Sequence, residues 1–264
     1  MVNRFQATAT KYQKSICAAV AIAVFLLVWQ LVVMFTKAGL VLAGPIETIS
    51  AFIRAIWTPI GTHTIEGHIL WSLSRVLVGF VLGSLAGIVL GILMGWFRPF
   101  SAFFRPLFEI LRPIPPIAWI PLSIVWFGLG EASKYFLIFY SAFCAVTMNA
   151  YSGVRAVDPE LMGAAKMLGA SNRQVFTSIV LPSCVPQIFA GLQIAVGTSW
   201  ATVVAAEMVR SSEGVGWCII KGQDSNSTVQ ILVGIVAIGI VGYVLAVTMR
   251  AIEAKLCRWS VRGK

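Results

Sequence analysis

Residues 158–171 read Asp-Pro-Glu-Leu-Met-Gly-Ala-Ala-Lys-Met-Leu-Gly-Ala-Ser. Asp158 can cap a helix, Pro159 suits its first position, where no N–H is needed, and Glu160 favours the positive helix end. Gly169 is a natural stop just past the other end. The spacing predicts a short isolated helix from Pro159 to Leu168, about 15 Å long. Leu161, Ala164, Ala165 and Leu168 fall on one face of it. That face is apolar and small, a shape suited to a shallow groove on a partner.

The surrounding sequence is of a different kind. It is 58% hydrophobic and only 11% charged, with a mean hydropathy of +0.87. A soluble domain carries roughly 25% charged residues, so this chain cannot cover a water-facing surface in the usual way. Six apolar stretches each reach the ~20 residues needed to cross a bilayer: 15–35, 69–96, 104–129, 135–154, 185–209 and 229–252. The first is too long for the core of a cleaved signal peptide and reads as a retained membrane helix. The chain is expected to be one membrane domain over 1–264, with a tail of about 1–14 and a loop of about 155–182.

The net charge of +10 does not point to nucleic acid, because the cations sit in short clusters between apolar spans. One side would hold Arg4, Lys11, Lys14, Arg98, Arg105, Arg112, Arg155, Lys166, Arg173, Arg250, Lys255, Arg258, Arg262 and Lys264. The other would hold Lys37, Arg54, Arg75, Lys134, Arg210 and Lys221. The split of 14 against 6 puts both termini and the 158–171 helix in the cytoplasm. The other side would then carry a segment from Lys37 to His68, a turn at Gly130–Lys134 and a polar loop from Ser211 to Thr228. Five scattered cysteines show no CxxC spacing and read as small apolar fillers.

Gly79, Gly83, Gly87, Gly91 and Gly95 recur every four residues. They stack on one helix face, where they let another backbone approach closely, as a packing seam or a sliding surface. Between Arg112 and Pro121 the sequence places four prolines within nine residues, and regular helix cannot run through it. The freed carbonyls must face protein or a water-filled cavity, so this is either a kink or part of a solute path.

Gly163-Ala164-Ala165, Gly169, Ile179 and Leu181-Pro182 resemble the EAA…G…I-x-L-P loop of binding-protein-dependent ABC importer permeases. Three residues separate Ala165 from Gly169, and nine separate Gly169 from Ile179. One departure is that Gly163 stands where the motif has glutamate, which removes any charged contact that side chain would make. Ser72-Leu-Ser-Arg75-Val-Leu-Val-Gly-Phe80, the run from Arg112 to Gly130, and Ala205-Ala206-Glu207 look like the nitrate/sulfonate/taurine branch. The resemblance covers roughly residues 40–250. It implies an all-α integral membrane protein with the type I importer permease fold, about six transmembrane helices and both termini cytoplasmic, in a bacterial inner membrane. It further implies a second copy of the chain, two cytoplasmic ATPase subunits carrying ATP and Mg²⁺, and a periplasmic or lipid-anchored substrate-binding protein. Pro159, Leu161, Gly163, Ala164, Ala165, Leu168, Gly169 and Ala170 would couple to the ATPase. The chain itself has no GxxxxGK[ST] phosphate loop, so neither nucleotide nor another cofactor is expected on it.

Candidate lining residues for a solute path are Pro115, Pro116, Trp119, Ser199, Trp200, Thr202 and Glu207. Trp126 is a further candidate, though tryptophan is enriched at membrane interfaces in any case. An intramembrane carboxylate is costly and functional by default, but for Glu207 an ion pair with Arg75 or Arg210 is the favoured reading. Glu109 is expected to pair with Arg112 or a neighbour. His63, Glu66 and His68 lie close in sequence but lack a fourth ligand, and no metal site is assigned to them. A secondary transporter would need coupling carboxylates at the membrane centre and inverted repeats, and a membrane enzyme a nucleophile–base pair; neither pattern is present. The branch points to a small anion as substrate: a sulfonate such as taurine, nitrate, or an aromatic carboxylate.

Overall fold

A computed structural model describes residues 2–209 and 211–257. The charges of Arg4, Lys11, Lys14, Arg210, Arg258, Arg262 and Lys264 lie outside the described side chains. In chain order the helices are α1 (Val2–Phe35), α2 (Pro45–Trp57), α3 (Ile65–Trp96), α4 (Arg98–Leu111), α5 (Ile120–Phe127) and α6 (Glu131–Arg155). They continue with α7 (Pro159–Met167), α8 (Asn172–Val175), α9 (Leu181–Val209), α10 (Val215–Asp224) and α11 (Thr228–Leu256). Among the described residues the only β-type pairing is an isolated bridge between Ile60 and His63.

Among the described residues five stretches are long and apolar enough to cross a membrane: Ile16–Phe35, Ile65–Trp96, Glu131–Arg155, Asn172–Val209 and Thr228–Leu256. A sixth is broken, with Arg98–Leu111 and Pro116–Phe127 meeting at 87°. The span expected over 104–129 is therefore no continuous helix; it starts at Arg98 and turns sharply at the prolines. The 155–182 loop is shorter than expected, because the chain is helical again from Asn172. A π turn over Phe176–Val180 joins α8 to α9, with the Leu181 N–H bonded to the Phe176 carbonyl. That local widening lets the helix run on through Pro182, which has no N–H to give.

Contacts divide the chain into two units. One comprises Met1–Thr64 and Cys218–Val236. In it, none of the apolar window of α1 is buried, as suits a helix whose side chains face lipid or another subunit. Pro45 occupies the first turn of α2, and the Thr48 hydroxyl donates to the Gly44 carbonyl at 2.8 Å. Gly222 lies so near Ile231 that a Cβ would meet its backbone nitrogen at 2.8 Å.

The other unit comprises Ile65–Trp217 and Ala237–Lys264. Its centre is α6, whose Ile138, Ala142, Val146 and Ala150 are fully buried. The five-glycine face of α3 packs on α6. A Cβ at Gly83 would come within 2.5 Å of the Phe139 carbonyl, and one at Gly91 within 2.5 Å of the Thr147 carbonyl. The repeat is thus a packing seam, since methyl groups at these positions would strike backbone. On the opposite flank Gly191 of α9 meets Asn149, and Gly153 of α6 meets Cys184 and Gln187. Gly91→Val should separate α3 from α6 and lower the melting temperature of the detergent-purified chain by several degrees. Gly163→Ala, where an added Cβ meets nothing within 4 Å, should not lower it. Equal melting of the two variants would remove the seam as a source of stability.

Candidate functional site

Three places in the second unit hold the residues singled out by sequence. The first is α7 and its ends. Asp158 caps α7 by accepting from the Glu160 N–H at 2.8 Å. At the far end the Ala170 N–H reaches the Ala165 carbonyl and the Gly169 N–H reaches Lys166, both at 3.0 Å. Gly169 has φ +85°, so the helix ends in a glycine-dependent Schellman motif. Met162, Ala165 and Ala170 pack against Val157, Val175 and Val180 and root α7 in the unit. Leu161 and Ala164 are exposed, and Met167 and Leu168 are 86% and 89% exposed. Ala165 was expected on the outward face and instead turns inward, while Met167 joins the outer one.

Behind α7 lies a recess of about 1090 Å³ bordered by Arg98, Arg105, Glu109, Arg155, Gly163 and Lys166. Position 163 opens onto that space, so packing does not exclude the motif's glutamate there. Glu109 pairs with Arg105 at 2.8 Å and not with Arg112.

The second place is the proline break. After α4 the chain passes through Arg112–Pro115 into a 3-10 turn over Pro116–Trp119. The freed Leu111 carbonyl accepts from the Tyr140 hydroxyl of α6 at 2.8 Å, so protein satisfies it. Pro116 and Arg112 border a cavity of about 210 Å³ reaching Tyr140, Ser141, Asn149 and Thr198. Pro115 is exposed beside it, and the Trp119 ring packs 5.3 Å from that of Tyr140. Trp126 lies further out, 6.4 Å from Trp119.

Ser199, Trp200 and Thr202 are buried in the packing of α9. The Trp200 indole donates to the Ile238 carbonyl at 3.1 Å, and the Thr202 hydroxyl donates to Thr198 at 2.7 Å.

The third place lies at the opposite end of the bundle from α7. Glu207 is 1% exposed and pairs with Arg75 at 2.8 Å, as expected of that pair; Arg210 lies outside the described residues. Its carboxylate also accepts from the Ser72 hydroxyl at 2.9 Å and the Gly216 N–H at 3.0 Å. The Arg75 guanidinium forks onto Glu131, at 2.6 Å from Nε and 2.8 Å from Nη2. Lys134 joins Glu131 to Ser211 at 2.8 and 2.9 Å. Two cations and two carboxylates thus balance, which is how buried charge is tolerated.

The loop over this cluster needs glycine. Gly214 has φ +111°, and a Cβ there would lie 2.3 Å from the Glu207 carboxyl carbon. Arg75 and Lys134, counted among the outer charges, are buried within α3 and α6. His68, expected in an outer segment, is buried in α3, where its Nδ1 accepts from the Gly214 N–H at 3.1 Å. Among the described residues no three of His, Cys, Asp and Glu are placed to hold a metal. Sequence reasoning missed Glu131, Lys134 and Ser72 here. Their linear signal as a cluster is that charged or hydroxyl residues stand at the ends of apolar spans.

The chain is an all-helical integral membrane protein, with apolar spans, one broken at prolines, and a capped surface helix between two of them. The pattern of the binding-protein-dependent transport system inner membrane component matches residues 83–258, and the chain belongs to that family. The taurine transport system permease protein TauC of Escherichia coli (strain K12) is 34% identical over 240 residues, covering 90% of this chain and 87% of TauC. The nitrate import permease protein NrtB of Synechocystis sp. is 36% identical over 237 residues, covering 88% of this chain and 86% of the relative. A chain of the MetNI methionine ABC transporter in an inward facing conformation shares the fold, with a TM-score of 0.60 at 19% identity over 72% of this chain and 95% of that one.

Proposed function

We propose that the chain is the membrane-spanning subunit of an ATP-driven importer in a bacterial inner membrane, with both termini in the cytoplasm. It works as a dimer of identical chains with two ATPase subunits beneath it and a substrate-binding protein outside, and ATP and Mg²⁺ bind the ATPase. The observation that carries this reading is the outer face of α7. Leu161, Ala164, Met167 and Leu168 stand exposed on a helix whose other face is anchored through Met162 and Ala165. Leaving a leucine or methionine in water forgoes about 1.5–3 kcal/mol each, so such a face is built for a partner's groove. Pro159 starts that helix, Gly169 and Ala170 end it, and Gly163 leaves its flank open. ATP-driven closure of the ATPases would draw the two α7 helices together and switch the spans between inward- and outward-facing.

The substrate is a small anion of the sulfonate or nitrate kind, a reading supported by the taurine and nitrate permeases among the relatives. Pro115, Pro116 and Trp119 border the path at the helix break. Trp200 and Glu207 tie α9 to α11 and α3, and Ser199 and Thr202 lie buried on α9 beside them.

Purification of the tagged chain from its own host in mild detergent tests the assembly. An ATPase subunit is expected in equal amount, together with a binding protein whose ligand can be identified. A chain that purifies alone and moves solute in vesicles without ATP would make it a secondary transporter instead.

A further inference from the structure

The recess behind α7 gathers cations from three helices that are far apart in the chain. Arg98 and Arg105 of α4, Arg155 at the end of α6 and Lys166 of α7 border it, and among the described residues Glu109 is the one carboxylate there. Glu109 is already paired with Arg105 at 2.8 Å. Asp158 and Glu160 stand outside the lining, and Asp158 is engaged in capping α7. Arg98, Arg155 and Lys166 enter no ion pair among the described residues. A bias of positive charge towards one side of a membrane sets how many cations stand there; it does not bring them onto one cavity. Gly163 borders the same space, and an added Cβ there meets nothing within 4 Å. The family motif has glutamate at that position, so this chain lacks a counter-charge for which there is room.

The recess lies where the spans leave the membrane. Met94, Gly95 and Trp96, the last residues of α3, border it, as do Tyr151 and Arg155 close to the end of α6. At 1.5 Å per residue α6 is about 38 Å long. A hydrocarbon core is about 30 Å thick, and about 40–45 Å with its headgroups, so the ends of α6 fall in the headgroup layer. Along α4, Arg98, Ser101, Arg105 and Glu109 border the recess at helical spacing. On its opposite face Phe100, Phe103, Leu107 and Ile110 form one exposed stripe, with Phe103 and Ile110 at 67% and 69%. A helix with cations on one face and Phe and Leu on the other is the form that lies in a membrane interface. The bend of 87° after α4 lets it do so while the following segment runs in another direction.

We propose that the recess is a binding site for the phosphodiester headgroup of an anionic phospholipid. Basic pockets between spans on the cytoplasmic side take such headgroups. Guanidinium groups such as those of Arg98 and Arg155 match phosphate oxygens with paired N–H donors, and Lys166 adds a point charge from α7. At about 1090 Å³ the recess stands at the upper end of the roughly 300–1,000 Å³ of ligand pockets, which suits a headgroup better than a lone small anion. The bare stripe of α4 is left for the acyl region of the same leaflet. A lipid seated there touches α4, α6 and α7 at once and so braces α7 from behind. The site requires only the membrane spans, and it stands whether or not an ATPase docks on α7.

The test is native mass spectrometry of the detergent-purified full chain, titrated with short-chain phosphatidylglycerol. Phosphatidylcholine serves as the neutral lipid and inorganic phosphate as the soluble anion. Phosphatidylglycerol is expected to bind about tenfold or more tightly than phosphatidylcholine. Each cation beside an anionic lipid surface contributes about fivefold, so Arg98→Gln and Arg155→Gln should each weaken phosphatidylglycerol about fivefold, and together about 25-fold. Gly163→Glu should weaken it too, by supplying an internal counter-charge, while phosphatidylcholine binding stays unchanged in every variant. Should the double variant fail to fold, Gly163→Glu decides the matter alone. Equal affinity for the two lipids, or wild-type affinity for phosphatidylglycerol in the folded variants, overturns the site. Displacement of phosphatidylglycerol by inorganic phosphate at equal concentration would make it a soluble-anion site. Lost co-purification of an ATPase, with lipid affinity intact, would make it part of an ATPase seat. Either result overturns the lipid assignment.

Discussion

Leu168→Asp is expected to abolish the proposed ATP-driven uptake while the permease still inserts and melts at its usual temperature. Leu168 is 89% exposed and supplies only backbone bonds to the cap of α7, so the fold loses nothing with its side chain. In an ATPase groove the same residue would be covered. The substitution removes the ~1.5–3 kcal/mol of an apolar side chain and asks the groove to desolvate an unpaired carboxylate as well. Ala164→Arg acts at the same face by bulk and charge. The measurements are co-purification of the ATPase, uptake in cells lacking the native gene, and a melting curve in detergent. Normal uptake by either variant would sink the coupling role of α7.

Arg75→Met is expected to produce the largest loss of stability of any substitution considered. It strands Glu207, which is 1% exposed, and takes the fork away from Glu131. Breaking a buried pair by removing one partner costs about 3–5 kcal/mol. For a chain of this size that lowers the melting temperature by roughly 10 °C. The double variant Arg75→Met with Glu207→Gln removes the stranded charge and is expected to regain much of the loss, a coupling that only neighbouring groups produce. If the two losses simply add, the pair does not hold α3 to α9.

Much of this architecture is readable in the linear sequence because its causes are local. Asp158, Pro159 and Gly169 act within one helical turn of themselves, so α7 and its caps follow from residue type and spacing. The apolar spans follow from hydropathy, and five glycines repeated every four residues announce a close helix contact because small residues let backbones approach. The partner of Glu207 could be narrowed to Arg75 or Arg210 in advance because a charge in that setting has few acceptable partners.

The outward face of α7 was only partly legible. A 3.6-residue period puts Leu161, Ala164, Ala165 and Leu168 together, but the angle at which α7 meets Val157, Val175 and Val180 turns Ala165 inward. That angle is set by packing between residues distant in sequence. Glu131 as the second partner of Arg75 was invisible for the same reason: it stands at the mouth of α6, 56 residues away.

Sequence by itself determined that this is a multi-span membrane chain with a capped surface helix, since hydrophobic length, proline and glycine act on their own neighbourhood. Only the tertiary structure decided where the chain turns after α4, because the prolines remove the helical register from which that turn would be placed. The Tyr140–Leu111 hydrogen bond, a contact between separate helices, fixes that turn against α6.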